Sequence, residues 1–157
     1  MKHTNLTSLI ARLLASLGVI VSLVFVGLEL RQATVVARAQ ARQALADRNS
    51  EIVFSIAENP ALARAWVIRW SSAPPPNAVL TLTDSIQSEW AMTGVLRHLE
   101  NVYLQQLEGV VDSSVLDTYS FKNSRWYRTP QFANYWSVAR VRFDTRFVTA
   151  FELEYGI

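Results

Sequence analysis

Apolar residues follow two different patterns along the chain. From Leu13 to Leu28 they form a run of sixteen residues without a charge, bounded by Arg12 and Glu29. After Pro60 they recur every three or four residues, the period of helices with one face turned inward. As a helix the run covers roughly 24 Å, short of the ~30 Å thickness of bilayer hydrocarbon. Taken from Leu9 to Leu30, with Arg12 and Glu29 reaching toward the interfaces, it extends to about 33 Å and fits a single span. A cleaved signal peptide would place a small-x-small site close behind the run. The nearest, Ala37-Arg38-Ala39, lies beyond Glu29 and Arg31. A helix apolar on all faces also needs more cover than a domain this small provides. The expectation is an uncleaved transmembrane helix within residues 1–30.

No helix breaker occurs between Leu28 and Pro60, and Ala, Arg, Gln and Leu dominate there. These residues favour helix, so the span should run on as a helical extension over 31–58. Residues 59–157 read as a small helical bundle. Asn59-Pro60 is a cap followed by proline in the first turn, opening a helix with Leu62, Trp66 and Trp70 on one side. Ser71 to Asn77, SSAPPPN, must be a loop. Asp84 with Gln87 resembles a capping box for a long helix with the stripe Met92, Leu96, Leu99, Tyr103 and Leu107, closed by Gly109. Asp112 or Ser113 starts another helix, with Val115, Tyr119 and Trp126 inward. Thr129-Pro130 starts one carrying Phe132, Trp136, Ala139 and Phe143, and Asp144 a last one with Phe147, Phe151 and Tyr155. Strand-type alternation is absent, so the predicted class is all-α, with an aromatic-rich core.

Composition sharpens this picture in two places. The chain of 157 residues has 50% hydrophobic and 18% charged residues, a surplus of apolar surface that the span absorbs. The net charge of +2 comes from Lys2 and Arg12, since 13 basic residues balance 13 acidic ones from Glu29 onward. A balanced domain argues against a nucleic-acid partner. Arg31, Arg38, Arg42 and Arg48 follow the span, against Lys2 and Arg12 before it, which favours a cytoplasmic C-terminal part. The chain has no cysteine, so disulfides, thiolate metal sites and a cysteine nucleophile are excluded.

The order of GVIVSLVFVGLELRQAT, ENPALARAW, RHLENVYLQQLEG and RWYRTPQFANYW resembles a group of small uncharacterised bacterial membrane proteins, each with one N-terminal span and a cytoplasmic helical domain. The group usually carries Arg-Gln-Asn-Thr after the span; here Arg31, Gln32, Ala33 and Thr34 stand there, without the amide. The resemblance implies the bacterial inner membrane and this architecture, and no chemistry.

Catalytic groups are sparse. The histidines are His3 and His98, with neither His-x-x-x-His nor Glu-x-x-His spacing, and the five glycines are scattered singly. No catalytic residue, metal or cofactor is predicted. The densest polar cluster is Arg97, His98, Glu100, Asn101 and Tyr103. There Arg97 should pair with Glu100 at i,i+3, Asn101 and Tyr103 should satisfy backbone groups of a neighbouring element, and His98 should be solvated or hydrogen-bonded. The stretch FKNSRWYRTPQF interleaves basic and aromatic residues as a single-strand platform does, but its aromatics fall at core positions.

On the span, Ala11, Ala15, Gly18 and Ser22 fall at spacings of four, three and four, a face of small side chains that another helix can approach closely. Glu29, Ala33 and Ala37 continue this pairing seam, with Ala41 and Ala44 beyond. Glu29 has no basic residue at i±3 or i±4. Arg12, Arg31, Arg38 and Arg42 are candidates for head groups or for acidic partners. The expected function is noncatalytic: helix-mediated assembly of a single-pass membrane protein, with itself or as an accessory subunit of a membrane complex. The alternative is a membrane-anchored sensor of a small ligand, with an aromatic pocket near Trp90, Tyr103 or Trp136. The bilayer and a protein are the expected partners.

Overall fold

The computed structural model describes residues 3–119, 121–122 and 124–157, with side chains from residue 8 onward. Lys2 and the side chain of His3 lie outside the described residues. Among the described residues six α-helices follow one another: α1 (His3–Ala57), α2 (Pro60–Trp70), α3 (Leu82–Leu107), α4 (Ser114–Thr118), α5 (Pro130–Ala139) and α6 (Thr145–Tyr155). Among the described residues there is no strand, so the class is all-α. The chain divides into two compact units, Met1–Gln40 and Ala41–Ile157.

In the first unit α1 carries a window of mean hydropathy 2.5, none of it buried, and is long and apolar enough to cross a membrane. Leu13, Leu14, Leu17, Ile20, Leu23 and Phe25 are all exposed. Each such side chain left in water forfeits about 1.5–3 kcal/mol relative to burial.

The second unit takes in the end of α1. Residues 31–58 read as one extension in the sequence, but the packing boundary falls inside them. Leu45 is 2% exposed in the domain core. Ala41, Asn49, Ile52 and Ile56 are half-buried at the same helical spacing. The rest of the core is aromatic. Phe151 has the rings of Trp136 and Tyr155 at 4.8 Å, Tyr127 at 5.2 Å, Phe147 at 5.5 Å, Phe132 at 5.9 Å and Phe121 at 6.0 Å. Phe121, Tyr127 and Phe132, from the basic-aromatic stretch, are thus core residues.

Local chemistry explains most helix ends. Asn59 Oδ1 accepts from the Leu62 N–H at 3.1 Å, with Pro60 in the first turn. Thr129 Oγ1 accepts from the Phe132 N–H at 3.2 Å, and Asp144 Oδ1 from the Arg146 N–H at 2.8 Å. Gly109, at φ 70°, ends α3. Its N–H reaches Gln106 O while Val110 N–H reaches Gln105 O, the paired bonds of a left-handed glycine stop. Four details depart from the sequence pattern. The α3 capping box is Thr81 with Asp84, not Asp84 with Gln87: Thr81 Oγ1 accepts from the Asp84 N–H and Asp84 Oδ2 from the Thr81 N–H, both at 3.1 Å. Leu107 is 47% exposed, because the stripe leaves the core in the last turn. In α4, a single turn, Leu116 rather than Val115 is buried. Arg125–Arg128 is a 3₁₀ helix whose tighter winding turns Tyr127 inward and leaves Trp126 half-buried.

Phe151→Ala should cost about 3–5 kcal/mol, as expected for truncating a fully enclosed aromatic. Denaturant unfolding of the full chain in micelles, followed by tryptophan fluorescence, measures this. Leu107→Ala should stay within about 0.5 kcal/mol of the parent.

Candidate functional site

Four groups of residues could carry function. The seam residues Ala11, Ala15, Gly18, Ser22, Glu29, Ala33 and Ala37 are all exposed on α1 in the first unit. A side-chain carbon added at Gly18 would meet nothing within 4 Å. The strip does not continue as predicted through Ala41, which is half-buried within the domain.

The basic stripe also divides. Arg12, Arg31 and Arg38 are exposed in the first unit, where Arg31 and Arg38 border a shallow hollow with Leu30, Thr34 and Val35. Arg42 belongs to the domain and pairs with Asp112. Both side chains of that pair are more than half exposed, so water screening leaves it little net stability.

On α3 the polar cluster splits by helix face. Arg97 Nη1 donates to Glu100 Oε2 at 2.7 Å, as the i,i+3 spacing implies. Its Nη2 donates to Arg142 O at 2.6 Å, and the guanidinium lies 4.6 Å from the Phe143 ring centre. Glu100, buried, also accepts the Asp144 backbone N–H at 2.5 Å. These two residues therefore hold the entry to α6. Asn101 and Tyr103 do not satisfy neighbouring backbone groups. Asn101 accepts from Gln105 on its own helix at 3.2 Å, and Tyr103 stacks on Phe121 with ring centres 6.0 Å apart. Two positions from Glu100, His98 faces another way. It is 6% exposed, and neither ring nitrogen has a hydrogen-bond partner, contrary to the expected solvated or bonded histidine.

His98 is among the residues that line a hollow of about 380 Å³ between the end of α1, α2, α3 and the segment around Tyr119 and Trp126, with both its ring nitrogens covered. Trp66 and Trp126 meet edge to face at 6.3 Å beside it, and Tyr119 packs across the imidazole at 4.9 Å. Trp90, Tyr103 and Trp136, near which an aromatic pocket was expected, do not line this hollow. Trp90 is 65% exposed. Trp136 is buried, with Nε1 donating to Glu152 at 3.1 Å. The signal that could have located the hollow is the shared helical phase of Asn49, Ile52 and Ile56, which no cap or turn residue marks. A second cleft, of about 520 Å³ and mixed lining, holds the ion pair of Arg69 with Glu89, together with Tyr135 and Arg142. Tyr135 Oη lies 2.7 Å from Thr93 Oγ1, and burial raises its pKa above the usual phenol value. Among the described residues, no group of three or more His, Asp or Glu is placed to hold a metal ion.

At the α6 entry, Arg146 donates to Asp144 from its side chain and its backbone N–H, holding the carboxyl at about 2 instead of 3.8. A lowered folded pKa contributes stability that is present above the unfolded value and lost as pH falls through the folded one. The stability difference between the parent and Asp144→Asn should therefore be present at pH 7 and vanish as pH falls from about 4 to about 2. Unfolding midpoints of both proteins across that range test it.

No protein-family model, curated protein or solved structure matches this chain.

Proposed function

We propose that this chain is a single-pass protein of the bacterial inner membrane, with its helical domain in the cytoplasm, acting without catalysis through assembly of its membrane helix with a second copy or a larger complex. The observation that carries this reading is the strip of small residues on the first-unit part of α1, where Leu9 to Leu30 leave their large apolar side chains exposed. Between helices in lipid there is no hydrophobic drive, so association depends on close backbone approach and on polar contacts. Ala11, Ala15, Gly18 and Ser22 supply the approach. Glu29, on the same strip and exposed, supplies a charge for a cation on a neighbouring helix. The cytoplasmic placement rests on the arginines that follow the span.

Because the space around Gly18 is open in the monomer, a larger side chain there tests pairing without disturbing the chain's own packing. Gly18→Ile with Ser22→Ile should abolish crosslinked oligomers in native membranes while leaving the domain's unfolding midpoint in place. Oligomer size unchanged by the double substitution would remove the seam from the proposal.

Topology is separable, since the chain has no cysteine of its own. A reporter cysteine from Ser71→Cys should be protected from a membrane-impermeant maleimide in intact spheroplasts and labelled after lysis. Labelling before lysis would invert the orientation.

A further inference from the structure

The cleft of about 520 Å³ bordered by α2, α3 and α5 falls within the size range of ligand pockets. Gln131, Asn134, Tyr135 and Val138 recur every three or four residues, so one face of α5 forms a wall of it. Ile68 and Arg69 of α2, with Leu80 and Glu89, line the rest.

The charges in this cleft do not cancel. Arg69 and Glu89 neutralise each other as an ion pair. Tyr135 adds no charge. Thr93 Oγ1 donates to Glu89 O at 2.9 Å, so the Tyr135 hydroxyl, 2.7 Å away, donates in turn to Thr93, and burial keeps it protonated. Arg142 is left over. It is exposed, and among the described residues no carboxylate stands in ion-pair contact with it. Its position is held at both ends: Arg142 O accepts from Arg97 Nη2 at 2.6 Å, and the guanidinium lies 5.9 Å from the Trp90 ring centre. The charge of Arg142 also reaches the Tyr135 hydroxyl, where it works against the pKa rise that burial causes.

These groups define the occupant. One uncompensated guanidinium selects one negative charge, and its planar fork matches a carboxylate. The exposed side-chain amides of Gln131 and Asn134, on the same wall, offer further N–H donors. Ile68, Leu80 and Val138 add aliphatic surface. Val138 is 67% exposed, so a hydrocarbon chain lying against it removes apolar area from water. A cation would meet Arg142 and find Glu89 already paired. An inorganic anion would leave the aliphatic surface wet.

We infer that the cleft bordered by α2, α3 and α5 binds a small aliphatic monocarboxylate, whose carboxylate pairs with Arg142 and whose chain lies on Ile68, Leu80 and Val138. The site is separate from the assembly proposed for the membrane helix, because all of its residues belong to the domain unit.

The test uses the full chain in detergent micelles, with hexanoate as probe and hexan-1-ol and hexylammonium as counterparts of equal chain length. The chain has five tryptophans, and selective ¹⁵N-tryptophan labelling lets the indole of Trp90, beside Arg142, report occupancy. Its signal is assigned by its absence in Trp90→Phe, a change at a 65% exposed side chain. Hexanoate should move the Trp90 signal saturably, and neither counterpart should do so. Partition into the micelle is shared with hexan-1-ol, which separates it from binding. Butanoate, two methylenes shorter, should bind about tenfold more weakly. Arg142→Gln breaks no ion pair and keeps the backbone contact with Arg97, so the domain should unfold at the parent midpoint while the hexanoate shift is lost. Should that variant fail to fold, Val138→Glu decides: the position is exposed, and the new carboxylate repels hexanoate and competes for Arg142, so the shift should again disappear. No saturable Trp90 shift with hexanoate, an equal response to hexan-1-ol, butanoate binding as tightly as hexanoate, or an unchanged titration in Arg142→Gln or Val138→Glu would overturn the site.

Discussion

The domain depends on the ring of Phe151. Six aromatic rings from α5, α6 and the segment preceding α5 lie with centres within 6.0 Å of it, at tilted or edge-on angles. Aromatic rings are large and rigid, and they favour such geometries through their quadrupoles by about 0.5–1.5 kcal/mol per pair beyond area burial. A domain of this size with no cysteine needs apolar area concentrated in few residues. Phe151 supplies the point at which short, separately capped helices share one core.

That arrangement requires α6 to enter at a fixed angle, and the polar residues of α3 set it. Glu100 accepts from both Arg97 and the Asp144 backbone N–H. Arg97 also holds Arg142 O and covers Phe143. The entry of α6 is thus tied to α3 by charge-assisted bonds at its first residues, while Phe147 and Phe151 follow on its buried face. What reads in the sequence as a possible ligand cluster is largely a structural clasp.

Legibility followed locality. The caps at Asn59, Thr129 and Asp144 and the glycine stop at Gly109 use residues within three or four positions, so the pattern shows them directly. Thr81 and Asp84 both begin a plausible box, and only the position of the first helical turn separates them. The aromatic core was legible from helical spacing, except where a 3₁₀ turn changed the period and exchanged Trp126 for Tyr127. The seam lies on one helix and its spacing can be read in one dimension, although the half-burial of Ala41 cannot. The hollow is assembled from α1, α2, α3 and the segment before α5, and no local pattern records that convergence.

His98 and Glu100 show why burial alone does not distinguish structure from function. They lie two residues apart on α3, are equally enclosed at 6% and 7% exposure, and face different sides. Glu100 has its hydrogen-bonding demands met by groups the fold brings to it, so its presence is explained within the domain. His98 is enclosed by aromatic rings that give its nitrogens nothing. Trp70 Nε1, Arg69 Nε and Gln105 Oε1 are likewise buried without a partner. The apolar alternatives at position 98 would pack the same wall without the desolvation cost. The core thus tolerates unmet polar atoms at several positions, and the burial of His98 does not by itself mark a site.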